Sequence, residues 1–308
     1  MIIDMHTHIP SLKTGLKIEG ISSKLSYLGL KLLFQNKSNQ ELIEFFIKSI
    51  KESIVEKSVV LALDGAYEES GKLIKESIYP NATNEEVICV INKNKDILLF
   101  GASIHPYRKD AIKKLEEYIK IGAKLIKWIP SSQNIDLTNH KCIDFYQALS
   151  HYKIPLLCHS GIEHAFFEYD SSYSNPNNFE IALKNGVTLI IAHLGTNFLP
   201  FETSYFDDFK RLALKYENCY GDTSAILIPS RNKYLNEISK DKELQSKLVF
   251  GTDFPVPFFP SSYIFKLGIK KYLEIKQEKN YFNQYIKTLQ ENGIANETFH
   301  RFAKIIKL

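Results

Sequence analysis

The sequence predicts an α/β chain folded as a (β/α)8 barrel with an extended loop and helical insertion after strand one, and three observations predict it. Eight apolar runs, at 2–8, 57–64, 97–105, 124–129, 154–159, 187–193, 218–224 and 247–253, are spread along the 308 residues. Most are nearly continuous in β-branched or large apolar residues, as expected of strands covered on both faces. The segments between them carry helical period, and strand–helix alternation repeated in this way implies a parallel sheet with right-handed crossovers. Thirdly, four of the runs end in residues that bind metals or move protons: His6 with His8, His159, His193 and Asp253. Only closure sets the first strand beside the last, and in such barrels active sites lie at the C-terminal ends of the strands. An open doubly wound sheet is the competing architecture.

In the first run, strand alternation points His6 and His8 the same way. A helix at 41–54 sets Leu42, Phe45, Phe46, Ser49 and Ile50 on one side. Another at 111–121 does the same with Ile112, Leu115, Tyr118 and Ile119, and Gly122 ends it. The stretch 10–56 is too long for one crossover. Its Leu25, Leu28, Leu30, Leu32, Leu33 and Phe34 suggest a short extra helix, over the barrel mouth or on its outside. The stretch 161–180 contains a plain loop signature at 170–176. Loops after strands are where specificity is built on this architecture.

At 44% hydrophobic and 24% charged, the chain can bury one full core, and we read 1–308 as a single domain. A net charge of +4 with dispersed lysines does not indicate a nucleic-acid footprint. No apolar stretch reaches the roughly 18 residues a membrane span needs, and the start lacks the pattern of a secretory leader. Cys89, Cys142, Cys158 and Cys219 contain no Cys-x-x-Cys pair, so free thiols in a reducing cytoplasm are expected. The expected partner is a small-molecule substrate, with no nucleic acid and no membrane; a homo-oligomer is compatible with the sequence.

Two neutral imidazoles at a strand end make half of a divalent-metal site. Bland alternatives exist for each residue: surface histidines for His6 and His8, buried backbone-bonded histidines for His159 and His193, a helix N-cap for Asp253. Lys127 interrupts Leu125-Ile126-Lys127-Trp128-Ile129 near the end of strand four. A lysine in a doubly covered strand is costly unless paired or modified. It could pair with Asp253 or Glu163, or grip a substrate carboxylate.

Asp4-Met5-His6-Thr7-His8, His159, His193-Leu194-Gly195 and Gly251-Thr252-Asp253-Phe254-Pro255 together resemble the amidohydrolase superfamily, specifically its single-domain, aminocarboxymuconate-semialdehyde decarboxylase-like TIM barrels. The motifs run in order from residue 4 to residue 255, and 292–308 is similar to the family's final helix. The resemblance implies a divalent metal, zinc first, held by His6, His8, His159 and Asp253. His193 is then a proton-transferring or second-metal residue, and Asp253 accepts a proton from water. In binuclear relatives a carboxylated lysine at the end of strand four bridges two ions, and Lys127 matches it by position; mononuclear relatives lack it. The implied activity is metal-dependent hydrolysis of an amide, lactone or ester. Non-oxidative decarboxylation of a small unsaturated or aromatic acid is the alternative, and a non-catalytic metal-stabilised barrel is a third reading. Around the rim, His105, His164 and Arg108 are candidate substrate-binding residues, with Arg231, Asp64, Asp222 and Glu163 nearby.

Overall fold

The computed structural model describes residues 1–10, 37–74 and 82–308. Eight parallel strands form one sheet in chain order: β1 Ile3–Thr7, β2 Lys57–Leu61, β3 Leu98–Ala102, β4 Ala123–Trp128, β5 Leu156–Cys158, β6 Leu189–Ile191, β7 Cys219–Asp222 and β8 Leu248–Val249. Closure occurs where β1 meets the chain leaving β8. The N–H of Met5 donates to the Phe250 carbonyl (3.0 Å), that of Asp253 to His6 (2.8 Å) and that of His8 to Phe254 (2.8 Å), and Thr7 bridges Phe254 in parallel. The chain is therefore the (β/α)8 barrel its sequence predicts. Its strands are shorter than the apolar runs at their C-terminal ends, so the chemistry-bearing residues leave the ladder for turns.

Side-chain parity sorts the core. Ile3, Met5, Val59, Leu61, Leu125, Leu157, Ile190 and Val249 fill the barrel interior together with Phe302. Phe302 comes from the helix Glu297–Ile305, whose Arg301 donates to the carbonyls of Gln245 and Leu248 and so ties the helix to the start of β8. Outside the barrel, Phe46, Phe100, Trp128, Phe145, Tyr146 and Phe209 belong to the larger cluster under the helices. Each such side chain contributes about 1.5–3 kcal/mol by leaving water. In β4, Ile126 and Trp128 join that outer cluster, which leaves Lys127 on the inner side with Leu125.

Strand β1 breaks simple alternation. Asp4 pairs with Ser58 and Thr7 with Val60, so the register slips by one residue between them. This inserts an extra residue in the manner of a β-bulge. Met5 can therefore sit in the apolar interior while the next residue, His6, also faces the barrel axis and meets Asp222 and Asp253.

The helix predicted at 41–54 spans Asn39–Lys51 and starts at a Ser38/Glu41 capping box, a motif whose serine alone is worth about 1 kcal/mol. Leu42, Phe46, Ser49 and Ile50 are buried as expected, but Phe45 lies on the edge of that face and is exposed. The helix Ala111–Ile121 ends at Gly122, which has φ 113°. It buries Leu115 and Tyr118 and leaves Ile112 exposed. The extra helix anticipated around Leu25 to Phe34 lies outside the described residues. Among those described, no helix is long and apolar enough to cross a membrane. All four cysteines are free thiols.

Candidate metal centre at the strand ends

Ligand atoms of His6, His193 and Asp253 lie within 4.8 Å of one another. β1 supplies the first, the turn after β6 the second and the turn after β8 the third. Two of these residues sit in left-handed backbone, His193 at φ 56° and Asp253 at φ 64°. Such non-glycine strain persists only where surrounding bonds over-determine it. Here the N–H of His193 donates to Asp222 Oδ1 (2.8 Å), and that of Asp253 to the His6 carbonyl. Gly251 permits the close approach of β1: a Cβ there would lie 2.8 Å from the His6 Cβ. Asp4 fastens the same corner, accepting from Thr252 Oγ1 (2.6 Å), Thr252 N (3.0 Å) and His6 N (3.2 Å). Burial pushes the Asp4 carboxyl up to about 7, with the bonds from Thr252 and His6 opposing.

Asp222 organises the two imidazoles. Its Oδ2 lies 2.7 Å from His6 Nδ1, which fixes that nitrogen as the donor and leaves the Nε2 lone pair facing Asp253 Oδ1 at 3.4 Å. Its Oδ1 accepts from Ser224 Oγ, which in turn lies 2.7 Å from His193 Nδ1. His193 Nδ1 is also 3.1 Å from the Ser224 carbonyl, which can only accept, so Nδ1 carries the hydrogen and Nε2 the lone pair. Asp222 and Ser224 stand two residues apart at the end of β7, a period-two pair visible in the sequence. Sequence reading placed Asp222 only on the rim and missed Ser224.

The electrostatics suit a cation. Burial lowers the pKa of His6, reinforced by the Lys127 charge, and brings His193 down to about 3. It also holds His159 well below the ordinary imidazole range, aided by His193 and Lys127. Buried imidazoles are thus held in the neutral, ligating form. Burial alone would raise the Asp253 and Asp222 carboxyls. The imidazoles outweigh it, His6, His8 and His193 at Asp253 and chiefly His6 at Asp222, which comes down to about 2.

The remaining expected ligands surround this trio. His8 Nε2 is 3.3 Å from Asp253 Oδ1. The His159 ring centroid lies 5.2 Å from that of His193, and its buried Nε2 has no hydrogen-bond partner, standing 3.5 Å from Glu163 Oε2. An orphaned buried imidazole nitrogen facing a second imidazole fits a ligand awaiting its ion. The tightest grouping thus contains His193, where the resemblance had put His8 and His159 first. Lys127 is buried on the inner face; its carbonyl accepts from Ser103 Oγ (2.8 Å), while among the described residues its Nζ makes neither hydrogen bond nor ion pair. The salt bridge to Asp253 or Glu163, one of the alternatives open to it, is therefore not formed, although both carboxylates act on it at longer range.

Four rim residues are committed elsewhere. His105 Nε2 donates to the Gln133 carbonyl (2.7 Å) and Nδ1 accepts from Tyr107 N (3.1 Å), so neither nitrogen is left for a substrate. Arg108 is taken by Asp110 (2.9 and 3.1 Å), Asp64 (3.3 Å) and Tyr67 Oη (2.7 Å). His164 Nε2 lies 2.9 Å from Glu202 Oε1. Arg231 is buried and donates to the carbonyls of Asn197, Ala225 and Thr196, clamping the loops after β6 and β7.

No family model matches the sequence, and no curated protein matches it. Solved structures do. An uncharacterised TIM-barrel protein from Bordetella bronchiseptica superimposes with a TM-score of 0.65 at 16% identity, over 100% of this chain and 99% of that one. A probable 2-pyrone-4,6-dicarboxylic acid hydrolase from Acinetobacter baumannii, with citric acid bound, gives 0.59 at 14% identity over 100% and 99%. A dihydroxybenzoic acid decarboxylase from Polaromonas, with manganese and 2-nitroresorcinol bound, gives 0.56 at 13% identity over 100% and 97%. At these identities the likeness establishes the shared barrel along the whole chain.

Proposed function

We propose that this chain is a metal-dependent hydrolase of the amidohydrolase type, opening an amide, lactone or ester of a small substrate with metal-activated water. The observation that carries the reading is the convergence of His6, His193 and Asp253 at the C-terminal face, with Asp222 orienting both imidazoles. A divalent ion bound there lowers the pKa of coordinated water towards about 7 and polarises a carbonyl. His6 Nε2, His193 and Asp253 would hold it, with His8 and His159 completing the set. Zinc suits a donor set this rich in imidazole, and manganese, present in the decarboxylase neighbour, suits its carboxylate. In this reading Asp253, which has a second carboxylate oxygen, receives a proton from water and returns it to the leaving group, while His193, with Nδ1 bonded at Ser224 and Nε2 given to the ion, serves as a ligand. Four free thiols accord with a reducing, cytoplasmic setting.

Lys127 supports a role in either of two forms. Burial favours its neutral amine, the form that condenses with carbon dioxide to an anionic carbamate able to join a ligand set. As an ammonium it would instead hold a substrate carboxylate. That second form favours the alternative reading, decarboxylation of a small acid, the activity named for the Polaromonas neighbour. A panel of small lactones, esters and carboxylic acids, assayed before and after chelation, tests the proposal. Turnover lost to chelator and restored by zinc or manganese supports it; turnover indifferent to chelation overturns it.

A further inference from the structure

The segment after the β8 turn carries exposed apolar side chains that, among the described residues, nothing covers. Phe265 is 101% exposed, Ile269 60% and Leu273 47%. Phe265 belongs to the short helix Ile264–Leu267, Gly268 (φ 81°) interrupts the helical course, and Ile269 and Leu273 then share a face of the helix Ile269–Gln277, whose Ile275 is buried. Lysines border these exposed side chains. Lys276 is seven positions from Ile269 and shares its face, and Lys266 and Lys270 lie alongside; all are exposed. Among the described residues none of these three has a carboxylate at ion-pair distance, whereas neighbouring Lys271 is paired with Glu291. Exposed apolar side chains this close together, rimmed by lysines without ion-pair partners among the described residues, make a surface segment of the kind that lies in a lipid interface. An isologous contact with a second copy would set the same lysines against each other.

We propose that this face docks the barrel on an anionic lipid surface, with Phe265, Ile269 and Leu273 entering the acyl boundary and Lys266, Lys270 and Lys276 meeting the headgroups. The sequence expectation of no membrane partner rested on the lack of a spanning segment, and interfacial docking needs none. The cytoplasmic leaflet carries the required negative charge. The inference does not depend on the metal centre, so failure of either leaves the other standing.

Sedimentation of the full chain with phosphatidylcholine vesicles, with and without phosphatidylserine, tests it. The expected result is binding to the mixed vesicles only, released by added salt, and reduced at least about tenfold in the double variant Phe265→Glu, Ile269→Glu. Ile121→Glu, at a comparably exposed residue on another helix, should bind like the wild type. Because the altered side chains are exposed, each variant should keep the wild-type circular dichroism, and Leu273→Glu provides an independent repeat. Equal binding to both vesicle types, no binding, or binding unaffected by these variants overturns the proposal. So does a dimer in solution that the double variant dissociates without any vesicle binding, which would assign the face to a second copy.

Discussion

The Nδ1 of His6 and the Oδ2 of Asp222 lie 2.7 Å apart, both buried, while the other oxygen of Asp222 reaches His193 through Ser224 and through the His193 backbone N–H. One carboxylate thus sets the tautomer and direction of two imidazoles. Asp222→Asn keeps the volume and loses the charge, so it should lower affinity for zinc by roughly 10–100-fold while leaving the barrel folded. Competition against a chromophoric chelator measures this. An unchanged affinity would remove Asp222 from the account.

Because His193 stands in the tight trio and His159 outside it, His193→Asn should lose at least as much metal as His159→Asn. Elemental analysis of the two purified variants decides. Metal kept in His193→Asn with turnover lost would favour proton transfer, one of the two roles that the sequence suggested for it, over ligation.

Lys127 separates one ion from two. Wild type and Lys127→Ala, purified with bicarbonate present, should fall from two ions per chain to one or fewer if the lysine is carboxylated. One ion in both proteins assigns it to holding a carboxylate, and Lys127→Ala should then raise KM for acidic substrates far more than for uncharged ones.

His105 offers a stability test away from the metal ligands. Burial brings its pKa down to about 3, with the Gln133 carbonyl opposing and Arg108 reinforcing. The folded chain keeps this ring neutral while the unfolded chain protonates it near 6.5, so its contribution is intact above 6.5 and drains away as pH falls from 6.5 towards 3. His105→Gln should therefore lose less stability than wild type between about pH 7.5 and about pH 5.5, read from urea midpoints. Parallel losses in the two proteins would contradict the buried neutral ring.

The barrel was legible because strands covered on both faces must be apolar along their length, and the runs from 2–8 to 247–253 are. The gathering of His6, His159, His193 and Asp253 at one end of the barrel was legible because all four terminate such runs. Fates decided by tertiary partners were not. His105 looks like a substrate-binding rim residue until Gln133 and Tyr107 take its nitrogens, and Arg108 looks free until Asp64 and Asp110 close on it. The register slip in β1, which lets Met5 and His6 both face inward, has no signature in residue type. Phe45 and Ile112 show the same limit for helices: periodicity finds the buried side but not its edge.

The central claim is that His6, His193 and Asp253 hold a divalent ion required for turnover. Metal content and activity measured together, in wild type and in Asp253→Ala and His6→Ala, test it most directly. The account predicts at least one ion per wild-type chain, loss of most of it in each variant, and loss of turnover in step. Full metal occupancy in both variants, or wild-type activity in metal-stripped protein, would contradict it.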